Sequence, residues 1–195
     1  EVNFKNNSQL IEYSYKVAGT VGLMMCGIMK VNNKTMKLRA IELGIAMQFT
    51  NIARDIKEDL DRNRIYIPQQ LRSHKTKEFR SLPFNKSIQK QFSQDLEKLL
   101  NMADSIYSIS WNGIIKLPLK FRVPIAIASF LYQSIGTKIR SKNYDVWNQR
   151  VYLNLLEKFV RAIEILLKLV FDKNKRIDKV MDKQIKSTLN KFKLI

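Results

Sequence analysis

The hydrophobic and polar positions of this 195-residue chain follow a helical period along most of its length. Apolar residues recur every three or four positions within long stretches, which places them on one face of a helix. The chain has only 6 Gly and 4 Pro, so it carries few of the residues that punctuate short strands. The pattern predicts five helices, over residues 9–29, 35–60, 85–109, 121–140 and 146–171.

Polar segments separate and follow these predicted helices. Ser8 is the expected N-cap of the first helix, residues 31–34 are expected to form a turn, and residues 69–83 are a polar, basic connector. Residues 172–195 are predicted to form a basic tail with no more than a weak amphipathic pattern. The predicted organisation is one all-α domain over residues 1–171, followed by the tail 172–195.

Three glycines lie within the first predicted helix, at positions 19, 22 and 27. Each costs a helix about 1 kcal/mol relative to Ala. Glycines at this cost are expected where a ligand or another backbone comes close. The alternatives are close packing between helices or a simple break in the helix.

One stripe of the second predicted helix carries carboxylate and amide side chains. Gln48, Asn51, Asp55 and Asp59 are three, four and four positions apart, so they project from one face. Two carboxylates four apart cost an isolated helix about 0.2–0.5 kcal/mol. A bound divalent cation would offset that cost, because Mg²⁺ prefers oxygen ligands and is shared between carboxylates and substrate phosphates. The alternative is a solvated acidic face beside basic neighbours.

Composition and charge restrict the function further. The chain has 35 Lys+Arg against 17 Asp+Glu, a net charge of +18. This positive charge can be explained by lysines spread over the surface, or by attraction to an anionic membrane. Nucleic-acid binding is not expected, because the sequence has no motif of the known nucleic-acid-binding modules. The single Cys26 cannot form an internal disulfide. His74 is the only histidine, so neither a His-based metal site nor a His-centred catalytic triad is expected. The expected location is the cytoplasm, with peripheral membrane contact and oligomeric state left open.

Three blocks of sequence, in order, resemble the squalene/phytoene synthase family. The first runs from Tyr13 to Gly22 and the second from Gln48 to Pro68. The third comprises 124–135 and 143–150, and the resemblance covers roughly residues 8–160. It implies the isoprenoid synthase fold, a helical bundle around a central cavity. It also implies a transferase that condenses two prenyl diphosphates head to head with Mg²⁺, or Mn²⁺ in its place.

Within the family the blocks resemble phytoene synthases most. This implies the condensation of two geranylgeranyl diphosphates to phytoene via prephytoene diphosphate, in carotenoid biosynthesis. One alternative is a squalene or dehydrosqualene synthase that uses farnesyl diphosphate, and another is a non-catalytic relative that acts as an assembly or binding protein. The family's first aspartate-rich motif precedes the first block, and residues 1–11 do not contain it. We therefore expect this chain to be the C-terminal part of a synthase, without the N-terminal helices of the fold. Such a part would be incomplete as an enzyme on its own.

The resemblance also implies roles for individual residues. It assigns catalysis to Asp55, Asp59, Tyr13 and Arg54, and metal binding to Asn51, Asp55 and Asp59. These types suit the chemistry, because Arg makes bidentate contacts with phosphate and an aromatic face stabilises a cation. The residues expected to bind substrate are Gln48, Asn51, Arg64, Val17, Val21, Met25 and Tyr132.

Overall fold

A computed structural model describes residues 2–73, 86–171 and 178–192, and most of these are helical. Two short strands, β1 (Val2–Asn3) and β2 (Arg64–Ile65), pair in parallel. The helices are α1 (Asn7–Ser14), α2 (Thr20–Ile28), α3 (Lys34–Arg54), α4 (Ile56–Asp61), α5 (Lys86–Ile114), α6 (Leu119–Ser141), α7 (Leu155–Phe171) and α8 (Lys179–Leu189). A π-helical turn, Tyr15–Gly19, joins α1 to α2, and a 3₁₀ turn, Asn190–Phe192, follows α8. The all-α class is confirmed.

The first predicted helix is α1, the π-helical turn and α2 in succession. Its N-cap is Asn6, whose side chain accepts a hydrogen bond from the backbone N–H of Gln9 at 3.1 Å. The prediction of Ser8 as the cap is therefore wrong. Asn and Ser are nearly equivalent N-caps, so their ranking alone could not separate the two positions.

Close packing of α3 against α2 and the π-helical turn explains two glycines. A Cβ atom on Gly22 would lie 2.3 Å from the carbonyl oxygen of Ala40, and one on Gly44 would lie 2.4 Å from that of Ala18. Only glycine allows the two backbones to approach this closely. Gly27 is different, because a Cβ atom there would meet nothing within 4 Å.

The second predicted helix is divided at Asp55 into α3 and α4. Asp55 has φ −102° and ψ 18°, outside the helical values. The backbone N–H of Asp55 still donates to the carbonyl of Asn51, and that of Asp59 donates to the carbonyl of Asp55, both at 2.9 Å. The break therefore bends the helix without abolishing the four-residue spacing of the two aspartates.

The later helices differ from prediction mainly at their ends. The helix α5 continues to Ile114 because its apolar period runs on through the buried Trp111 and Ile114. The fifth predicted helix starts at Leu155, not at residue 146, so that boundary is wrong. Asn154 and Glu157 form a reciprocal capping box there, with hydrogen bonds of 2.8 and 2.7 Å. Residues 146–154 are irregular, although Val146, Trp147, Val151 and Leu153 are buried.

The main hydrophobic core surrounds α3 and α5 and also includes α1 and α8. A second cluster joins α5, α6 and α7 through Trp111, Ile114, Ala126 and Ile165. The described part of the predicted basic tail therefore belongs to the core, since Met181, Ile185 and Leu189 of α8 are buried in it. Most of the predicted connector, including His74, lies outside the described residues.

Candidate active site

A cavity of about 380 Å³ lies between α2, α3, α5 and α6. On α3 its lining extends from Met36 to Asn51, which at 1.5 Å per residue corresponds to about 22 Å along the helix axis. The cavity is therefore elongated, and most of the side chains that line it are apolar. Six of the seven predicted substrate residues line it: Val17, Val21, Met25, Gln48, Asn51 and Tyr132.

Amide groups form one polar end of this cavity. The Nδ2 of Asn51 donates to Oε1 of Gln48 over a long 3.5 Å. The Oδ1 of Asn51 is buried and has no hydrogen-bond partner among the described residues. A buried acceptor without a donor is costly, so this oxygen is suited to a ligand or a cation.

A carboxylate held by two arginines lies next to this polar end. Asp55 accepts two hydrogen bonds from Arg54, at 2.8 and 2.7 Å, and two from Arg150, at 2.9 and 3.2 Å. Hydrogen bonding to Asp55 raises the pKa of Arg54 against the opposing effect of burial, and the nearby Tyr132 adds to the rise. Arg54 is thus within electrostatic reach of Tyr132, which lines the cavity.

Arg150 is a site residue that the sequence interpretation missed. It follows α6 in the irregular segment and is 95 positions from Asp55 in the chain. Its side chain is 58% exposed, whereas that of Asp55 is 18% exposed. The only available signal was its position at the end of the third block, which carries no information about a contact with Asp55.

Asp59, Arg64 and Tyr66 share a small crevice beside α4. Burial raises the pKa of Asp59 to about 6, with the neighbouring Asp55 contributing and Arg64 opposing. Tyr13 stacks on Tyr66, with ring centroids 4.9 Å apart, and burial raises its pKa. The structure therefore puts Tyr13 and Arg64 beside Asp59 and not in the lining of the cavity.

The aromatic packing of Tyr13 limits its predicted role as a wall for a cation. One of its ring faces is covered by Tyr66, and Phe4 packs against it at 5.4 Å. Hydrogen bonding with Tyr66 and the nearby charge of Asp59 both add to the rise in the pKa of its phenol group. These contacts suit a residue that positions the polar cluster.

The chain's own groups partly fit a divalent cation. In the described residues, no three His, Cys, Asp or Glu side chains form a group that could hold a metal by themselves. Asn51 offers an unpartnered buried oxygen, and Asp59 is a carboxylate whose charge is poorly compensated. The hydrogen bonds from Arg54 and Arg150 occupy about four acceptor positions on Asp55, the full capacity of a carboxylate. Asn51 and Asp59 therefore fit a hard cation, whereas Asp55 fits only after Arg150 moves away.

The other end of the cavity contains a buried ionic group that the sequence interpretation also missed. Arg39 lines the cavity, is 6% exposed, and donates to Glu42 at 2.8 Å and to Asp182 of α8 at 2.9 Å. Burial raises the pKa of Glu42 to about 8, and Arg39 opposes that rise. This end of the cavity is thus held by charges from two distant segments.

The fold and this cavity define the class of protein. The solved structure of a dehydrosqualene synthase in complex with ligand superimposes on the chain with a TM-score of 0.75 and 27% sequence identity. The superposition covers 87% of this chain and 60% of that one. This similarity confirms the isoprenoid synthase fold that the sequence predicted.

The family follows from the match along the sequence. The squalene/phytoene synthase family matches residues 2–157, and this chain belongs to it. It is 34% identical to a phytoene synthase of Cereibacter sphaeroides over 161 residues, which are 81% of this chain and 44% of the relative. It is 35% identical to a 15-cis-phytoene synthase of Pantoea ananas over 160 residues, 81% of this chain and 51% of the relative. The chain thus spans about half the length of the curated relatives it matches.

Proposed function

We propose that this chain belongs to a prenyltransferase that condenses two geranylgeranyl diphosphates head to head into phytoene, via prephytoene diphosphate. The observation that carries the proposal is the elongated apolar cavity, whose polar end adjoins the cluster of Asp55, Arg54 and Arg150. The names of the relatives, phytoene synthases, support the choice of product. In this proposal the pathway is carotenoid biosynthesis, and the location is the cytoplasm, with contact to a membrane surface.

The two parts of the site divide the substrate between them. The prenyl chain occupies the cavity along α3, where Val17, Val21 and Met25 form one wall. The diphosphate lies at the end near Asn51, within reach of the guanidinium groups of Arg54 and Arg150. These charges stabilise the pyrophosphate that leaves on ionisation, and Arg can contact it through two hydrogen bonds at once.

Asn51 and Asp59 are the residues that would hold Mg²⁺, or Mn²⁺ in its place. The bound cation supplies charge stabilisation for the diphosphate. Asp59 would ionise more readily beside it, because its pKa is raised to about 6 by burial and by Asp55. Asp55 joins this set once Arg150 transfers its hydrogen bonds from the carboxylate to the diphosphate.

Ligand binding tests this assignment without requiring turnover. We expect inorganic pyrophosphate with MgCl₂, at about 100 times its Kd, to raise the Tm of the chain by about 5–10 °C. The shift should be lost in Asp59→Asn and retained in Asp61→Asn, a matched change at an exposed position of the same helix. An equal shift in both variants would contradict the role of Asp59.

Substrate analogues test the prenyl part separately. A non-hydrolysable geranylgeranyl thiodiphosphate should bind more tightly than pyrophosphate alone, and Val21→Glu should remove that gain while leaving pyrophosphate binding unchanged. Equal affinity for the two ligands would overturn the assignment of the cavity. Tighter binding of the farnesyl analogue would favour the farnesyl-using alternative.

Incubation with geranylgeranyl diphosphate tests activity itself. We expect no hydrocarbon product from this chain alone, because the only pair of aspartates that the described residues place near the Asn51 end of the cavity is Asp55 and Asp59, while two diphosphates must be ionised. Extraction and chromatography of the products would detect phytoene directly. Phytoene formed by the purified chain would show that one cluster is sufficient.

A further inference from the structure

The helix α7 presents a wide apolar face to solvent. Leu155, Leu156, Phe159, Ile163, Leu167 and Val170 are 44–84% exposed, and we call these six side chains the α7 face. At 100° per residue they lie within an arc of about 120°. Contiguous apolar surface of this kind marks a site of interaction.

The rest of α7 is arranged as expected for a helix packed on one side only. Ile165 is buried in the second core cluster with Ala126 of α6, so this side of α7 faces the protein. A third side carries charged residues, among them Arg161, Glu164 and Lys168. The helix thus has a protein-facing side, a charged side and the α7 face.

The α6–α7 hairpin around this face is strongly basic. Residues 116–170 contain ten Lys or Arg and three Asp or Glu. The two acidic residues of α7 are both neutralised, since Glu157 pairs with Lys138 at 2.6 Å and Glu164 pairs with Arg161 at 2.7 Å. Four of the ten basic residues pair with acidic ones: Lys138, Arg140, Arg150 and Arg161. The segment still keeps a net charge of +7, ten minus three, and Lys158 and Lys168 of α7 itself are among its basic residues.

We propose that the α7 face is a docking surface for an anionic lipid bilayer. An apolar helical face flanked by Lys and Arg lies in the plane of the interface and is attracted by anionic headgroups. The exposed aromatic rings of Phe159 and Tyr152 suit the boundary between headgroups and acyl chains. A second copy of the chain fits less well, because pairing two α7 faces would bring two basic hairpins together.

Three exposed apolar side chains of α2 and of the π-helical turn before it have a different explanation. Val17, Val21 and Met25 line the cavity, so their exposure reflects the opening of the proposed substrate site. No residue of α7 lines that cavity. The inference about α7 therefore does not depend on the proposed reaction or substrates, and it deepens the proposed contact with a membrane surface. Met24 of α2, 60% exposed and outside the cavity lining, provides a matched control.

Vesicle flotation tests the proposal. The chain should float with vesicles of phosphatidylglycerol and phosphatidylcholine, bind vesicles of phosphatidylcholine alone much more weakly, and lose affinity as salt is added. Phe159→Glu should weaken the partition by about tenfold or more, because burial of one Phe side chain in the bilayer is lost. Met24→Glu should leave it within about twofold. Equal losses in the two variants, or no loss in either, would overturn the proposal.

The contact itself is measured by tryptophan quenching with brominated lipids. Phe159→Trp should be quenched by lipids brominated along the acyl chain, and Met24→Trp should not. Two results would overturn the proposal. The first is a dimer in light scattering that Phe159→Glu dissociates, which assigns the face to a second copy. The second is a Phe159→Cys thiol that thiol reagents cannot reach in the absence of vesicles, which assigns the face to another polypeptide segment.

Discussion

Helices α7 and α8 make opposite use of their apolar side chains. Six large apolar residues of α7 remain 44–84% exposed, whereas Met181, Ile185 and Leu189 of α8 are at most 8% exposed. The difference lies in the available partners: α8 packs against α1 and α5, and α7 packs on α6 along one side only. Burial of a helix is thus decided by the surface it meets as much as by its own apolar content.

An ionic contact strengthens the docking of α8. Arg39 of α3 bridges Glu42 and Asp182, and all three side chains are at most 14% exposed. Removal of one partner from such a group is more costly than the net gain from the intact set, because a buried charge is left without compensation. Four substitutions test this difference in burial between α8 and α7. They follow from the largest expected effect on stability to the smallest.

Ile185→Ala should have the largest effect. Ile185 is fully buried in the main core, so its truncation removes apolar contacts and leaves a cavity. We expect the free energy of unfolding to fall by about 2–5 kcal/mol. Urea unfolding followed by circular dichroism measures it. A loss below about 1 kcal/mol would mean that α8 is not held in the core.

Asp182→Ala should have the second largest effect on stability. It removes the acceptor that holds one nitrogen of Arg39 at 2.9 Å, and we expect a loss of about 1–3 kcal/mol in the free energy of unfolding. Lys186→Ala is the control, because Lys186 also pairs with Asp182 but is 41% exposed. That change should cost less than about 1 kcal/mol. Equal losses of stability in the two variants would show that the buried contact between Asp182 and Arg39 contributes no more than the exposed one between Asp182 and Lys186.

The pH dependence of the free energy of unfolding should show the ionisation of the buried Glu42. Burial raises the pKa of Glu42 to about 8 in the folded chain, while in the unfolded chain it is near the ordinary value of about 4.3. Its contribution is therefore fully present below the unfolded pKa and is lost as pH rises towards 8. We expect the free energy of unfolding to fall by up to about 1.4 kcal/mol per pH unit between pH 5 and 8.

Glu42→Gln is the matched variant for that experiment. It cannot ionise, so urea midpoints measured from pH 5 to 8 should be flatter than those of the unsubstituted chain. Identical pH profiles for the two proteins would show that Arg39 keeps Glu42 ionised throughout this range.

Ile163→Ala should have the smallest effect. It removes the same side chain as Ile185→Ala, but from a position on the α7 face that is 44% exposed. We expect a change within about 0.5 kcal/mol in the free energy of unfolding. A loss close to that of Ile185→Ala would mean that the α7 face is covered in the folded protein.

Much of the candidate site could be predicted from local spacing and from the order of the three blocks. Gln48 and Asn51 share the cavity because they lie one turn apart on α3, and Val17, Val21 and Met25 share a wall because they repeat at intervals of four. Tyr132 joins them from α6, as the third block implied. Arg64 and Tyr13 were expected at the substrate but lie beside Asp59, because β2 and the stacking on Tyr66 direct them there.

Periodicity along the chain was sufficient to predict the main helices and the stripe that carries Gln48 and Asn51, since each depends on residues a few turns apart. The order of the three blocks indicated the family. Contacts between distant segments decided the rest. Arg150 reaches Asp55 across 95 positions, and Arg39 reaches Asp182 across 143. No local pattern encodes such contacts, because they exist only once packing has placed the segments together. The same reason explains why α8, with few apolar residues, is buried and α7, with many, faces solvent.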